Sequence, residues 1–181
     1  YAYGVFGTGS SSHTAIAVDK ISASATAGAA GSGAALGDGV ATAGDDGVAG
    51  EEAKAYGVYA AGGAVIDLSA KNSGPIKINA KAADGTVTNE AYAVYADKGT
   101  VLFGSDAELN WDGSSGTDNT LVTGLNNGTL GFSGTSADRT VTGGKLQLTG
   151  SNAFRFTTDL ANNKADSMTF DTIENNSSKQ Y

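Results

Sequence analysis

The sequence predicts an all-β fold, a single-stranded parallel β-helix (β-solenoid) with a C-terminal capping region, on three observations. First, a short module recurs: Ala55-Tyr56-Gly57-Val58-Tyr59-Ala60 has variants at Ala2-Tyr3-Gly4-Val5-Phe6 and Ala91-Tyr92-Ala93-Val94-Tyr95-Ala96, and self-similarity of this kind marks repeat architectures. Second, the residues that follow recur as well, Gly62-Gly63-Ala64-Val65-Ile66 lining up with Lys98-Gly99-Thr100-Val101-Leu102. A β-sandwich shares the short strands but not this repetition. Third, the 181 residues include 27 Gly but 1 Pro, 1 Trp and 1 Met, and the 40% hydrophobic content leans on Ala and Val. Gly at that density argues against helices, where each interior copy costs about 1 kcal/mol, and small apolar residues suit a narrow interior.

In chain order, strands are expected at Ala2–Phe6 and Thr14–Val18, on either side of the polar turn that runs from Thr8 to His13. Ile21 to Ala27 alternates apolar and polar like a strand. From Gly28 to Gly50 nearly every residue is Gly, Ala, Ser, Thr, Val or Asp, which reads as a long, partly ordered excursion or as Ala-faced strands packed tightly. Further strands are expected at Ala55–Ala60, Ala64–Leu68, Pro75–Asn79, Ala91–Ala96, Thr100–Phe103, Ala107–Trp111, Thr120–Val122 and Thr129–Phe132. Turn clusters such as Asn126-Asn127-Gly128 separate them. In a parallel stack, corresponding strands lie about 4.8 Å apart, so like residues form ladders. The 36 residues from Ala55 to Ala91 fit one large rung or two small ones; at roughly 20 residues per rung the chain makes on the order of seven or eight. Period two places Tyr56, Val58 and Ala60 on one side and Ala55, Gly57 and Tyr59 on the other, and the Val58 side is assigned inward.

Residues 1–144 thus read as β-helix rungs with the Gly/Ala-rich excursion near 28–50, and residues 145–181 as the cap. Alternation is cleanest from Thr140 to Phe170, with Leu146, Leu148, Phe154, Phe156, Met168 and Phe170 on apolar faces. Such a segment would close the open strand edges at the end of a stack.

Charge and special residues bound the function. A net charge of −8 and a pI near 4.4, with no Lys/Arg cluster, exclude phosphate-backbone binding. No apolar run approaches the 18 or so residues of a membrane span, so direct membrane insertion is not expected. Cysteine is absent, which removes disulfides and thiolate metal sites and suits a chain that crosses a narrow pore unfolded. The chain begins at Tyr1 without Met or a signal peptide, and reads as a segment of something larger. His13, the one histidine, lacks the motif of a nucleophile pair and reads as a solvated turn residue. The acidic group Asp38, Asp45, Asp46, Glu51 and Glu52 lacks EF-hand or calcium-repeat spacing and reads as a solvated loop. Trp111 reads as a packing residue rather than a sugar platform. No catalytic, cofactor-binding or metal-ligating residue is assigned, and no cofactor is expected.

The last quarter resembles the C-terminal part of bacterial autotransporter passengers, the pertactin-like family of type V secretion. The run Lys145-Leu146-Gln147-Leu148-Thr149-Gly150-Ser151-Asn152-Ala153-Phe154-Arg155-Phe156-Thr157-Thr158-Asp159-Leu160, the loop Ala161–Lys164, and Ala165-Asp166-Ser167-Met168-Thr169-Phe170 carry the likeness. The pattern is a Leu-rich strand, a Gly turn, a Phe-containing strand, Asp-Leu, a loop, and Ser/Ala-Asp-x-Leu-x-apolar. It departs at Asn152, where the family often has Gly, and at Met168, where it has Leu. The Ala-Tyr-Gly-Val modules are similar to those of many such passengers. The resemblance implies a right-handed β-helix whose residues from 145 onward begin an autochaperone-like segment. It also implies export through a C-terminal outer-membrane β-barrel of the same polypeptide, not in this sequence, and placement on the bacterial surface or in the medium.

The expected function is a non-enzymatic stem, an adhesin-like passenger meeting host or bacterial surface ligands; this step is analogy at the level of fold. The competing expectation is a polysaccharide lyase or hydrolase, with Asp67, Asp97, Asp106 and Glu108 as candidate carboxylates and no Arg among them. A third is a segment that mainly templates passenger folding during export.

Overall fold

In the computed structural model, which describes residues 1–27, 52–83, 88–110 and 121–176, the alternating stretches are strands and no helix occurs among the described residues. The first three are β1 (Ala2–Thr8), β2 (His13–Ala17) and β3 (Lys20–Thr26). They are followed by β4 (Glu52–Ala61), β5 (Val65–Ser69) and β6 (Ile76–Ala83), and by β7 (Thr88–Asp97), β8 (Thr100–Phe103) and β9 (Ala107–Leu109). Next come β10 (Leu121–Asn126), β11 (Thr129–Phe132) and β12 (Thr140–Thr149). The last are β13 (Ala153–Arg155), β14 (Thr158–Asp159), β15 (Lys164–Ala165) and β16 (Ser167–Asn175). The excursion expected near 28–50 and Trp111 lie outside the described residues.

Through β10 each strand pairs in parallel with the one three places along the chain. β1, β4, β7 and β10 form one column, β2, β5, β8 and β11 a second, and β3, β6 and β9 a third. β13 extends the second column beside β11. The long β12 joins the other two: Val141 and Thr142 pair with β9, while Lys145 to Thr149 pair with β10. β16 follows β12 in register from Ser167 to Asn175. The result is a nine-stranded sheet, a five-stranded sheet and one antiparallel hairpin, β14 with β15. The fold is therefore all-β and almost wholly parallel among the described residues.

Corresponding positions are 53 residues apart from Ala2 to Ala55, 36 from Ala55 to Ala91, 29 from Val94 to Thr123 and 23 from Val122 to Lys145. The 36-residue offset is thus a single step between neighbouring strands of a column. The first column holds six strands, counting the second halves of β12 and β16. The expectation of seven or eight layers of about 20 residues therefore fails among the described residues, because the connecting turns vary in length while the strands do not.

In-register pairing lines the interior with rows of like residues. Val5, Val58, Val94, Thr123, Leu146 and Ile173 form one row, and Ile16, Leu68, Phe103 and Phe132 follow one another along the second column. A second, smaller core consists of alanine alone: Ala23, Ala25, Ala27, Ala53, Ala55, Ala80, Ala82 and Ala91. There β3 and β6 alternate as the sequence suggests, and methyl side chains let the sheet faces approach closely. The segment expected to cap the stack instead supplies its last strands. Phe154 and Ile173 end interior rows, and they are exposed along with Phe156.

The facing of the repeated module departs from simple period two. Val58 and Ala60 are buried as expected, but Ala53 and Ala55 are buried too, and both Tyr56 and Tyr59 face outward. The cause is one extra residue: against β10, the pairing of β7 shifts between Val122 and Thr123, so that Ala93 has no partner. Gly4, Gly57 and Ala93 occupy this place in successive strands. Such a bulge reverses the alternation and re-aims side chains, which puts two aromatic residues three apart on the same outer face. Glycine is required at 57, where a Cβ would lie 2.5 Å from the Ala93 carbonyl oxygen and 2.6 Å from Ile78 Cγ2.

Two substitutions test this account. Gly57→Ala should lower unfolding stability by about 1–3 kcal/mol through overpacking, read from the denaturant midpoint. Thr123, fully buried in the Val58 row, has an Oγ1 without a hydrogen-bond partner. Thr123→Val should therefore raise stability by about 1 kcal/mol; an unchanged or lower midpoint would count against the row as drawn.

Candidate functional site

The bulged strands β1, β4 and β7 build the main outer feature, two rows of aromatic rings. Tyr3 stacks on Tyr56 at 5.3 Å and 10° between planes, and Tyr56 on Tyr92 at 5.6 Å and 4°. Phe6, Tyr59 and Tyr95 form the neighbouring row at 5.4 Å spacings. The rows stop at β10, where Gly124 leaves the space that the Tyr92 and Tyr95 rings fill. Tyr92 donates its hydroxyl hydrogen to Gln147 Oε1 at 3.3 Å.

Charges flank the rings. Lys54 lies 3.6 Å from Glu52 and 3.7 Å from Glu90, and Tyr1 donates to Glu52. Burial, then the Glu90 carboxylate, pushes the Tyr92 phenol up to about 12 and that of Tyr56 higher still. Burial lowers the Lys54 ammonium, but Glu90 and Glu52 outweigh it and the net shift is upward. These phenols are neutral at physiological pH and act as packing groups with polar tips. A sugar-binding platform needs an open ring face, whereas here the ring faces cover one another and the middle rings offer water their rims.

The candidate carboxylates are not brought together. Asp67 is on β5, where it accepts a hydrogen bond from Ser133 Oγ at 2.7 Å. Asp97, at the end of β7, accepts one from Asn126 Nδ2. Asp106 precedes β9 and accepts from the Thr140 backbone N–H at 2.7 Å. Glu108 is on β9 and pairs with Lys77 at 3.6 Å. Only Asp106 and Glu108 share a surface, a shallow cleft of ≈ 190 Å³ with Pro75 and Thr140. A neighbouring cleft of ≈ 350 Å³ is bounded by Glu108, Asn110, Thr142, Gly144 and Asp171. Both polar atoms of the Asn110 amide are buried without partners.

His13 is the first residue of β2 and is exposed, close to its reading as a solvated turn residue. Of the acidic group, Glu52 is described, in the ion pair above; Asp38, Asp45, Asp46 and Glu51 lie outside the described residues. Among the described residues no three His, Cys, Asp or Glu side chains gather to hold a metal.

One polar centre escaped sequence reasoning. Arg139, in the connection before β12, donates from Nε and Nη2 to the two Asp166 carboxylate oxygens at 3.0 and 2.8 Å. It also donates to the carbonyls of Phe103 and Ser133 and to Thr157 Oγ1. All five guanidinium hydrogens are thereby used, which suits the planar fork of Arg. Asp166 in turn accepts the backbone N–H groups of Arg139 and Thr157, and the guanidinium lies 4.9 Å from the Phe132 ring centroid. With no donor left for a ligand, this is a structural pin across successive layers. The available signal was that Arg139 is one of only two arginines and stands just before an alternating stretch.

Burial tends to raise the Asp166 carboxyl, but hydrogen bonds from Arg139 and Thr157 prevail and hold it below the ordinary value. Its stabilising contribution is therefore complete above about pH 4 and fades as pH falls through the lower folded value. Asp166→Asn should cost about 3–5 kcal/mol at neutral pH, and the gap to the unsubstituted chain should close on acidification below about pH 4. Denaturant titrations across that range check both.

Compared with family models, curated proteins and solved structures, the chain matches none.

Proposed function

We propose that this chain is the non-enzymatic stem of an autotransporter passenger, a right-handed parallel β-helix displayed on the bacterial surface or released from it, whose outer surface serves adhesion to host or bacterial partners. The observation that carries the reading is the pairing of each strand with the one three places on, in parallel and in register, from β1 to β10. A chain that revisits three columns in turn is most simply a coil of three-sided layers. Parallel connections are right-handed in nearly all known cases. The C-terminal motifs similar to passenger sequences add the export route, through an outer-membrane barrel of the same polypeptide. The absence of cysteine suits passage of an unfolded chain.

The chemistry of the surface fits a stem better than an enzyme. The carboxylates considered for glycan cleavage are spread over three columns and are spent on Ser133, Asn126, Thr140 and Lys77. Cleavage of a glycosidic bond needs two carboxyl groups facing one bond.

Two experiments test the proposal. On cells making the full-length protein, antibody to this chain should label the unpermeabilised surface or the protein should appear in the medium, and its removal should reduce attachment to host cells or sister bacteria. Confinement to the cell interior would overturn the export reading. Incubated with acidic polysaccharides, the purified chain should leave them at full length; newly released chain ends would replace stem by enzyme.

A further inference from the structure

The turn from the first column to the second is built alike in five successive layers. Gly9, Gly62, Lys98, Asn127 and Gly150 all have positive φ there, at 99°, 60°, 55°, 50° and 72°. The N–H of each of the first four donates to a carbonyl of the next layer, at 2.9 to 3.3 Å. The following position is tight: a Cβ on Gly128 would lie 2.5 Å from the Ala96 carbonyl oxygen, and one on Gly99 would lie 2.4 Å from that of Ala60. The stack therefore asks for a residue that tolerates the left-handed region, followed by Gly. After Gly itself, Asn is among the residues best suited to the first place. At Asn127-Gly128 this requirement produces the one Asn-Gly dipeptide of the sequence.

Asn-Gly carries an intrinsic chemical liability. The glycine nitrogen, having lost its proton to base, attacks the asparagine Cγ; the bond from Cγ to the side-chain nitrogen breaks, and ammonia leaves. Water then opens the resulting cyclic imide at either carbonyl, giving aspartate or isoaspartate. Glycine is the fastest partner because it places no side chain beside the attacking nitrogen and gives the backbone freedom to close the ring.

Here each participant is held. The Gly128 N–H donates to Asn152 Oδ1 at 2.9 Å, and Asn152 is itself anchored by donation to the Thr149 carbonyl at 3.2 Å. The Asn127 carboxamide accepts from the Ser151 N–H at 3.0 Å and donates to Asn126 Oδ1 at 3.0 Å. Attack needs the first bond broken so that the proton can leave, and the carboxamide turned out of the other two.

We propose that Asn127-Gly128 is a latent site of spontaneous imide formation, and that Asn152 guards it by occupying the Gly128 N–H. This explains what Asn152 does at a position where Gly would serve the turn but not the guard. In a protein exposed to the medium without renewal, isoaspartate would insert an extra backbone atom and break the ladder at this layer.

The test is incubation of the full chain at mildly alkaline pH, with conversion at Asn127 read by peptide mass and isoaspartate content. The folded chain should stay intact over a period in which the urea-unfolded chain converts at Asn127 before its other asparagines. Asn152→Ala, with strand content checked by circular dichroism, should convert about fivefold faster than the unsubstituted chain, the factor expected from releasing one hydrogen bond. Asn152→Asp, which keeps an acceptor oxygen, should behave as the unsubstituted chain. Equal rates for folded and unfolded chain, or an unchanged rate in folded Asn152→Ala, would overturn the proposal. Should Asn152→Ala not fold, hydrogen exchange of the Gly128 N–H in the unsubstituted chain decides: slowed exchange supports the guard, and exchange at the unfolded rate refutes it.

Discussion

Parallel, in-register pairing at about 4.8 Å is the constraint on which the rest depends. It places each side chain directly over its counterpart one layer away, so a residue is acceptable only if it packs well against its own kind. Val over Val over Val meets this condition in the interior, and Tyr over Tyr over Tyr meets it outside with the offset-stacked geometry aromatic rings favour. The Asp97–Asn126 contact meets it with hydrogen bonds. Stability is distributed along such rows rather than lodged in a few large core residues, which is why a chain rich in Gly and Ala can hold a continuous core. A single misfit, such as the Thr123 hydroxyl in a valine row, is correspondingly local.

The bulge at Gly4, Gly57 and Ala93 shows how one extra residue per strand changes a surface. Without it, the module would bury one aromatic residue and expose the other, and a ring as large as tyrosine would have to fit a narrow interior. With it, both rings move outside and the interior receives only Ala and Val. The aromatic rows then brace the outer face of the first column, with their phenols kept neutral by burial and nearby carboxylates. This assigns them to scaffold and leaves contact with partners to the material between the strands.

At the other end of the chain the connections carry the burden. Arg139 reaches back to Phe103 and Ser133 and forward to Thr157 and Asp166, tying four separate stretches at one corner. A guanidinium can do this because its five hydrogens lie in one plane and point outward; a lysine offers three on a single flexible tip. The price is a buried charge, which is tolerated only because the Asp166 carboxylate and every remaining donor are satisfied together.

Much was legible in the sequence where information is local. The repeated modules marked the first-column strands of three layers, and nearly every apolar run after Ala53 is a strand within a few residues of its expected bounds. The alternation at Ile21–Ala27 lies on β3, and turn glycines such as Gly62 and Gly63 have the positive φ that reserves a place for them. Period and turn chemistry reside in neighbouring residues, so the sequence by itself determined strands, turns and repetition. Three things were decided only by the tertiary structure. The step length depended on which strands pair across 23 to 53 residues. The facing of Tyr56 depended on a bulge visible only against β10. The Arg139–Asp166 pin depended on bringing together residues 27 apart. Each is a relation between distant segments, set by which backbone lies alongside which, and a linear pattern of residue types does not contain it.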